Sequence, residues 1–498
     1  MMNVTVIGVG YVGAVTGACL AFLGHRVTCV DVNETRIRKL QEGQSPIYEP
    51  GLEELLLLAR ERGEISFDTD VAKAVKDSDV IFIAVGTPSL PSGETNLAYL
   101  ESAARTVGAA MEPGRFYVVV NKSTVPVGCG NLVETLVREG VTQANPEGAA
   151  AGFTFAVASN PEFLREGSAI HDSLYPGRIV LGSSSGRALS TLRKLYQPLT
   201  EQRFAHPSFA PRPAGMTEVP IVSTTLQSAE MIKYSANAFL ALKIGFANEM
   251  ANICERVGAD VVEVMNGIGL DSRIGRGFLN AGIGWGGSCF GKDVHSLLHT
   301  ASEYGYDARI LAASIAVNKL QRDVVIQKLQ EKLFILKGRT ITLLGLAFKP
   351  DTDDMRDAPS IQIAERLLRM GARVRVFDPI AMETCQTQNP QLSLTYCDDA
   401  LAAATGADAV VLVTEWPVFA ELDLMQLASR MRRTVLIDGR NLFSPEKAVQ
   451  AGFEYTGIGR SSRIAASMPS KSERAAVTSM RSPAETREPQ LAARAGSR

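Results

Sequence analysis

Short apolar runs recur along the chain, and most are followed by a glycine- or serine-containing turn or by an acid. One series lies at 4–7, 25–31, 80–85 and 117–120, and a second lies at 339–345, 374–378, 409–413 and 435–438. Apolar runs that alternate with helical segments are typical of buried strands in a parallel α/β sheet. The pattern therefore predicts two separate α/β regions.

Between these regions the periodicity changes. From Ser228 to Val257 apolar residues recur at intervals of three to four, which predicts one long helix. This helix is either a spine with a dimer surface or a helix buried within one subunit, and the sequence leaves both open. The segments 141–152 and 206–220 are rich in Pro, Gly and Ala and predict loops. The predicted fold is α/β, with two Rossmann-like doubly wound domains joined by a central long-helix domain.

Composition restricts the possible functions. The 498 residues are more than one ordinary core holds, so two or three domains are expected. A formal net charge of −2 gives no global basic field and argues against nucleic acid as a partner. The seven cysteines follow no paired spacing, which favours a reducing, cytoplasmic compartment over disulfides or a Cys-ligated zinc site.

The two ends of the chain have unusual compositions. Residues 1–24 contain no Asp, Glu, Lys or Arg, and that length would suit a membrane span or a signal peptide. Four glycines interrupt this stretch and no basic residue precedes it, so we expect a strand, a glycine turn and a buried helix, with no membrane partner. After Arg460, Ser, Ala, Arg and Pro dominate, which predicts a disordered, solvated tail over 461–498, with contact to an acidic partner as the alternative.

The first strand leads into a G-x-G-x-x-G turn, and an acid ends the next strand eighteen residues beyond the last glycine. The turn residues that we expect to bind a cofactor are Gly8, Gly10, Tyr11, Val12 and Gly13. This context is typical of dinucleotide binding at a helix N-terminus. Asp31 should accept hydrogen bonds from the adenosine ribose and disfavour a 2′-phosphate, so NAD is predicted, and the nearby Arg36 makes this preference moderate. The alternative is a structural turn that binds no dinucleotide.

The corresponding turn of the second region breaks the pattern. Gly345 is its only glycine before Lys349, which stands where a dinucleotide motif would continue. A basic residue at such a turn suits a phosphate or diphosphate, as on a nucleotide-linked substrate.

A glycine-rich segment, 282–293, surrounds Cys289. Glycines allow the backbone to approach another group closely, and a nucleophilic thiol needs help to ionise, which Lys292 and a helix beginning near Asp293 could supply. One helical turn could place the Asp293 carboxylate beside the sulfur. The alternative is an inert thiol. His295 and His299 lack the glutamate and third ligand of a zinc motif, so no metal is predicted.

Several separated motifs occur together in order. They are G-V-G-Y-V-G at 8–13, Y-E-P-G-L at 48–52, V-G-T-P-S at 85–89, K-S-T-V-P-V-G at 122–128, N-P-E-F-L-R-E-G at 160–167, the Cys289 segment, G-L-A-F-K-P at 345–350 and D-G-R-N at 438–441. In these motifs the chain, from Asn3 to about Gly459, resembles the UDP-glucose/GDP-mannose dehydrogenase family, and most closely the members that oxidise UDP-glucose.

The resemblance implies a four-electron oxidation of UDP-glucose to UDP-glucuronate with two NAD+, through a thiohemiacetal and a thioester on Cys289. The catalytic residues that it implies are Thr124, Glu162, Lys233, Asn237, Cys289 and Asp293. Lys233 and Asn237 would stabilise oxyanions, Asp293 and Thr124 would position or deprotonate water, and Glu162 would be the acid/base of hydrolysis. Which group is the base in each step stays open. Glu162 and Glu166 could instead be acids at a helix N-terminus.

The resemblance also implies binding residues and an oligomer. The further NAD contacts are Thr87, Thr124, Glu166 and Lys292. The substrate contacts are Glu162, Phe163, Leu164, Arg165, Lys233, Asn237, Arg273, Phe278, Gly282, Lys349 and Arg440. Arg273 would reach the substrate of a neighbouring subunit, which implies a homodimer or a higher homo-oligomer.

Three alternatives remain for the activity. The same chemistry could act on GDP-mannose or UDP-N-acetylmannosamine. A two-electron dehydrogenase of the hydroxyacid type would use Lys233 as its sole base, and a silent NAD-binding scaffold would need no base. For the domains we expect an N-terminal NAD-binding Rossmann domain over 1–205, a central helical dimerisation and catalytic domain over 206–325, a C-terminal Rossmann-like UDP-binding domain over 326–460, and the tail.

Overall fold

The computed structural model of the chain describes residues 1–90, 92–146 and 152–460. The predicted disordered tail over 461–498 lies outside the described residues, as does 147–151 of the first predicted loop.

The first α/β unit is built on an eight-stranded sheet in the order β3-β2-β1-β4-β5-β6-β7-β8. Its strands are β1 (Asn3–Ile7), β2 (Arg26–Val30), β3 (Ile65–Asp68), β4 (Val80–Ile83), β5 (Phe116–Asn121), β6 (Thr154–Ser159), β7 (Ile179–Gly182) and β8 (Ile221–Thr224). Strands β1 to β6 pair in parallel, but β6 and β7 pair antiparallel, so the purely parallel sheet that was predicted is wrong at this edge. The central strands β1, β4 and β5 are almost wholly buried because helices cover both faces.

The helices of this unit connect its strands. They are α1 (Tyr11–Phe22), α2 (Glu34–Gln41), α3 (Leu52–Glu61), α4 (Val71–Lys76), α5 (Ala98–Ala110), α6 (Cys129–Ala144), α7 (Ala169–Leu174), α8 (Gly186–Leu195) and α9 (Gln197–Thr200). The predicted loop from 141 is wrong in its first residues, because α6 continues to Ala144. Leu136, Val137 and Val141 are buried at helical spacing, and this packing outweighs the local composition. Residues 206–220 contain no helix or strand, as predicted.

The middle of the chain is helical, as predicted. It consists of α10 (Leu226–Val257), α11 (Val261–Gly269), α12 (Phe290–Glu303) and α13 (Arg309–Leu333). The hydroxyl of Thr225 caps α10 by accepting from Ser228 N, and Gly258 ends it in the left-handed conformation. Helix α12 begins at Phe290, with Cys289 as its N-cap, and Asp293 lies in its first turn, which confirms the predicted helix start near Asp293.

The second α/β unit has a six-stranded, wholly parallel sheet in the order β11-β10-β9-β12-β13-β14. Its strands are β9 (Thr340–Leu344), β10 (Arg373–Phe377), β11 (Leu394–Tyr396), β12 (Ala409–Leu412), β13 (Val435–Asp438) and β14 (Glu454–Gly457). Its helices are α14 (Pro359–Arg369), α15 (Met382–Gln388), α16 (Ala400–Ala404), α17 (Pro417–Ala420), α18 (Leu424–Arg430) and α19 (Pro445–Gln450). The predicted architecture of two Rossmann-like units around a long-helix region is confirmed.

The strand order places the chemistry-bearing turns. In both sheets the order reverses beside the first strand, and crevices for ligands form at such a switch point, outside the carboxyl ends of the strands. Gly8 follows β1, and Gly345 follows β9. Across the described residues, none of the helices combines the length and the apolarity that a membrane crossing needs.

Candidate active site

The glycine turn is fixed at the carboxyl end of β1. Gly8 has φ +95°, and its N–H donates to Val30 O at 2.8 Å. A Cβ at Gly13 would lie 1.8 Å from Gly8 O, whereas a Cβ at Gly10 would meet nothing within 4 Å. Gly13 is therefore required for packing, and open space lies beside Gly10.

This open space fits the pyrophosphate of a dinucleotide. Helix α1 begins at Tyr11 with no side-chain cap, so its first N–H groups and its dipole favour an anion. Asp31 directly follows β2, and its carboxylate accepts from Val9 N at 2.8 Å and from Asn33 N at 2.8 Å, beside the turn. The residues present thus fit NAD, which supplies a hydride acceptor when it is bound.

Two helices bring the predicted catalytic side chains together. Helix α10 presents Lys233 and Asn237 one turn apart, and the first turn of α12 presents Asp293. Asn237 Nδ2 donates to Asp293 Oδ2 at 2.6 Å, and Tyr234 of α10 meets Ser296 of α12 with their oxygens 3.1 Å apart. Lys233, Asn237 and Asp293 are all buried, so the facing sides of the two helices form one polar cluster.

The loop after β6 contributes a carboxylate to this cluster. Glu162 Oε1 accepts from Lys233 Nζ at 2.8 Å, and Glu162 Oε2 accepts from Leu164 N at 2.8 Å. Burial opposes the charge of Lys233, but Glu162, Cys289 and Asp293 outweigh it and raise the pKa of the lysine. Lys233 is therefore a charged hydrogen-bond donor in this arrangement. The alternative that Glu162 and Glu166 lie at a helix N-terminus is wrong, since α7 begins only at Ala169.

Cys289 lies against this cluster. Cys289 is an exposed residue, but surrounding protein atoms desolvate its thiol, and this burial together with Glu162 raises the pKa of the thiol to about 11, against the lowering effect of Lys233. The thiol is therefore protonated at neutral pH in this arrangement. Lys292, which was expected to activate it, instead pairs with Asp293, with Nζ 2.7 Å from Oδ1.

The glycines before Cys289 bring the second α/β unit close to it. A Cβ at Gly286 would lie 2.4 Å from Asp357 O, and a Cβ at Gly287 would lie 2.8 Å from the ring of Phe348. A Cβ at Gly282 would lie 2.9 Å from Gly439 O. The close approach that the glycines predicted is thus made to the turns that follow β9 and β13.

The same turns carry two predicted substrate residues. Lys349 Nζ donates to Glu166 O, and burial lowers the pKa of Lys349. Arg440 donates from Nε to Val413 O at 2.8 Å and from Nη1 to Gly284 O at 3.0 Å. These two partly buried cations, at the edge where the two α/β units meet, match a diphosphate.

Three further predicted substrate residues differ in their contacts. The Phe163 ring lies under Lys233, whose Nζ is 5.4 Å from the ring centroid. Phe278, with φ +63°, packs against Phe290 with ring centroids 6.2 Å apart. The side chain of Arg165 pairs with Asp172 at 2.7 Å.

The Arg273 side chain is 87% exposed and pairs with Asp271 at 2.6 Å. Its contacts among the described residues therefore lie outside the polar cluster.

The loops after β4 and β5 meet beside the glycine turn. Thr87 Oγ1 donates to Thr124 O at 2.8 Å. This bond places both predicted NAD contacts on one edge of the first sheet.

Two residues near the site, the buried Glu49 and the half-buried Lys122, received no predicted role. Glu49 accepts hydrogen bonds from Tyr11, from Gly167 N at 2.6 Å and from Ala169 N at 2.7 Å, and so joins the glycine turn to the loop of Glu162. Lys122 donates to Asn160 at 3.0 Å, and burial lowers its pKa to about 8. Both residues stand in motifs that the sequence shows, but their partners are far away along the chain.

Comparisons with known proteins agree with this geometry. The UDP-glucose/GDP-mannose dehydrogenase family matches in three parts: its NAD binding domain at 2–200, its central domain at 227–320 and its UDP binding domain at 342–445. The chain is 46% identical to a UDP-glucose 6-dehydrogenase of Bacillus subtilis, over 92% of this chain and 94% of the relative. It is 43% identical to a UDP-glucose 6-dehydrogenase of Pseudomonas aeruginosa, over 92% and 98%.

Solved structures agree as well. A UDP-glucose dehydrogenase from Pyrobaculum islandicum superposes with a TM-score of 0.81 at 40% identity, covering 93% of this chain and 98% of that one. A UDP-D-ManNAc dehydrogenase from Pyrococcus horikoshii gives a TM-score of 0.76 at 27% identity, covering 92% and 99%. The glycine turn, the Cys289 cluster and these matches together show that the chain belongs to the UDP-glucose/GDP-mannose dehydrogenase family and is an NAD-dependent oxidoreductase.

Proposed function

We propose that this enzyme oxidises the carbon-6 alcohol of UDP-glucose to the carboxylate of UDP-glucuronate. The balanced reaction consumes one UDP-glucose, two NAD+ and one water, and yields UDP-glucuronate, two NADH and three protons. The observation that carries the proposal is the position of Cys289, which is an exposed residue and lies close to Lys233, Asp293 and Glu162. A dehydrogenase that stopped at the aldehyde would have no use for this thiol.

The choice of sugar rests on the relatives. Those that are 40–46% identical over 92% of the chain carry the name UDP-glucose 6-dehydrogenase. The neighbour named for UDP-D-ManNAc is only 27% identical. Lys349 and Arg440 supply the cations that a UDP diphosphate needs, and so support the nucleotide half of the proposal.

The first oxidation moves a hydride from carbon 6 and releases the hydroxyl proton. Lys233 and Asn237 donate to the developing oxyanion, and removal of one such donor typically costs about 3–4 kcal/mol in the transition state. The Lys233 ammonium is already charged and held by Glu162, so this donor is preorganised.

The second oxidation requires the thiol. Cys289 loses its proton and its sulfur bonds to the aldehyde carbon, which gives a thiohemiacetal, and loss of a second hydride then gives a thioester. Water adds to the thioester, the C–S bond breaks, and the thiol recovers a proton. Asp293 and Thr124 position this water and Glu162 takes its proton.

The cofactor must exchange once per sugar, because one cofactor site has to serve two hydride transfers. We assign the NAD contacts to the glycine turn, Asp31, Thr87, Thr124, Glu166 and Lys292. During the exchange the sugar stays bonded to the sulfur of Cys289, and this bond keeps the aldehyde from escaping.

A sugar panel with a cysteine variant tests this proposal. NADH formation is measured with UDP-glucose, GDP-mannose and UDP-N-acetylmannosamine in parallel. We expect turnover with UDP-glucose alone, and in Cys289→Ser a loss of UDP-glucuronate formation of more than about 100-fold, since no thioester forms. Preferred turnover of another sugar would contradict the substrate, and near-normal acid formation by Cys289→Ser would contradict the thioester.

We also propose that the enzyme works as a homodimer or a higher homo-oligomer. Phe239, Phe246 and Ile253 are 60%, 45% and 46% exposed, and their seven-residue spacing puts them on one face of α10. Exposed apolar side chains in a row are typical of an interface. The exposed Arg273 is then free to reach a partner's substrate.

Light scattering of Phe239→Asp/Phe246→Asp tests the oligomer. We expect this double variant to give the mass of one chain and little activity, while the wild type gives a multiple of that mass. A monomeric, fully active wild type would contradict the proposal.

A further inference from the structure

The turn from 348 to 357 in the second α/β unit lies between the loop of Glu162 and the Cys289 segment. On one side, Gly167 leaves so little room that a Cβ would lie 2.3 Å from Asp351 O. On the other side, Gly287 N donates to Arg356 O at 2.9 Å. This turn therefore holds the Glu162 loop and the Cys289 segment at the same time.

Arg356 is the residue of this turn that contacts both loops. Its Nη2 donates to Glu166 Oε1 at 3.0 Å, while its own carbonyl holds the Cys289 segment through Gly287. Asp354 fixes the guanidinium, with Nε to Oδ1 at 2.8 Å and Nη2 to Oδ2 at 2.8 Å. Two parallel bonds to one carboxylate set the orientation of an arginine as well as its place.

Glu166 is bound to this turn by more than the arginine. Its Oε2 accepts from Thr352 Oγ1 at 3.3 Å, and its carbonyl accepts from Lys349. Burial and the nearby Asp354 raise the pKa of Glu166 to about 8, and Arg356 opposes this shift. The cation thus lies against two close carboxyl groups, and its loss would raise the pKa of Glu166 further.

We propose that Arg356 is a positioning residue that fixes Glu166 and the Cys289 segment relative to each other. The roles of Glu166 and Cys289 rest on the proposed function, but the contacts themselves do not. Arg356 is 58% exposed, so its replacement removes a charge and a fork of hydrogen bonds without opening a buried cavity.

Arg356 should also affect the ionisation of the Cys289 thiol, which can be followed without enzyme turnover. The charged groups that face Cys289 are Glu162, Asp293 and Lys233, with Arg356 as a second cation. Cations stabilise a thiolate, so loss of Arg356 should raise the pKa of the thiol further above about 11.

Alkylation of Cys289 by iodoacetamide tests this consequence. The rate is followed from pH 7 to pH 10 by mass spectrometry of the Cys289 peptide, with full-length protein and no sugar. In Arg356→Met we expect the rate at each pH to fall by about threefold to tenfold, because a smaller fraction of the thiol is ionised. Arg356→Lys keeps the charge and should stay within about twofold of the wild type.

A matched control is Arg369→Met, which removes an exposed arginine of α14 paired with Glu365. We expect its alkylation profile to overlay that of the wild type. If the Arg356→Met profile overlays it too, or if Arg356→Lys falls as far as Arg356→Met, the inference is overturned.

Steady-state kinetics test the Glu166 side of the proposal. In Arg356→Met the KM for NAD should rise by about fivefold or more, while the KM for UDP-glucose changes less. An unchanged KM for NAD would overturn the claim that Arg356 positions Glu166. If the wild type itself fails to oxidise UDP-glucose, the proposed function fails, and the alkylation profiles still decide the role of Arg356.

Discussion

Each sheet has a central strand that ends at a glycine with positive φ, Gly8 with +95° in the first unit and Gly345 with +96° in the second. In both, the glycine N–H donates at 2.8 Å to the end of the neighbouring strand, at Val30 and at Phe377. An aspartate follows that strand in each unit, and it accepts backbone N–H groups of the glycine turn. The local geometry of the two turns is therefore nearly the same.

The two aspartates differ in how many of their hydrogen bonds are already made. Asp31 is 9% exposed, accepts two backbone N–H groups and lies 3.9 Å from the half-exposed Arg36. Asp378 is 1% exposed and accepts five N–H groups, from Leu346, Ala347, Ile380, Ala381 and the Trp416 indole. Because both carboxylate oxygens of Asp378 are buried and already accept hydrogen bonds, this residue cannot accept hydrogen bonds from a ribose.

The chain after each turn also differs. In the first unit α1 begins three residues after Gly8, whereas in the second unit α14 begins only at Pro359. The intervening segment carries Lys349 and Arg356, which contact the catalytic loops. One turn thus leaves a helix N-terminus open for a dinucleotide, and the other has become part of the substrate and catalytic region.

The largest expected effect is a loss of stability when Asp378, which accepts five hydrogen bonds, is replaced. Asp378→Ala leaves five N–H groups without a partner, four of them buried, and each buried one costs about 1–3 kcal/mol, so we expect the free energy of unfolding to fall by roughly 4 kcal/mol or more. Urea unfolding measures this loss. The matched Asp31→Ala should lose less than half as much, and equal losses would contradict the distinction between the two acids.

The next largest effect is a weaker affinity for UDP-glucose when Lys349, in the glycine turn of the second unit, is replaced. Lys349→Met removes a cation from the proposed diphosphate site, and we expect the KM for UDP-glucose to rise by roughly 100-fold, or about 2.8 kcal/mol. The KM for NAD should change by less than about threefold. A larger change for NAD than for UDP-glucose would reverse the assignment of the two turns.

The smallest effect is a change of cofactor preference. Asp31→Ser removes charge-assisted acceptors for the ribose, so the KM for NAD should rise by about tenfold. The same change frees Arg36, whose Nη1 lies 3.9 Å from Asp31, to meet a 2′-phosphate. Parallel assays with NAD and NADP check this, and an unchanged ratio would show that another group selects the cofactor.

The sequence predicted features whose determinants lie close together in the chain. The glycine turn and Asp31 belong to one βαβ unit, and Lys233 and Asn237 lie one turn apart on a strongly periodic helix. It could not predict contacts between distant segments, such as the Lys233–Glu162 ion pair or the bond from Arg356 to Glu166, because nothing local encodes the partner. The antiparallel β7 and the last turn of α6 were missed because strand direction and helix length there depend on tertiary packing.

The most direct test measures two ratios on the same preparation: the NAD bound per chain and the NADH formed per sugar. Equilibrium titration should show one NAD bound per chain, since of the two glycine turns among the described residues the first alone is open to a dinucleotide. With limiting UDP-glucose and excess NAD, the endpoint should be two NADH per sugar. One NADH per sugar, or two NAD bound per chain, would contradict the claim that NADH is exchanged for NAD+ at a single site while the sugar stays bonded to Cys289.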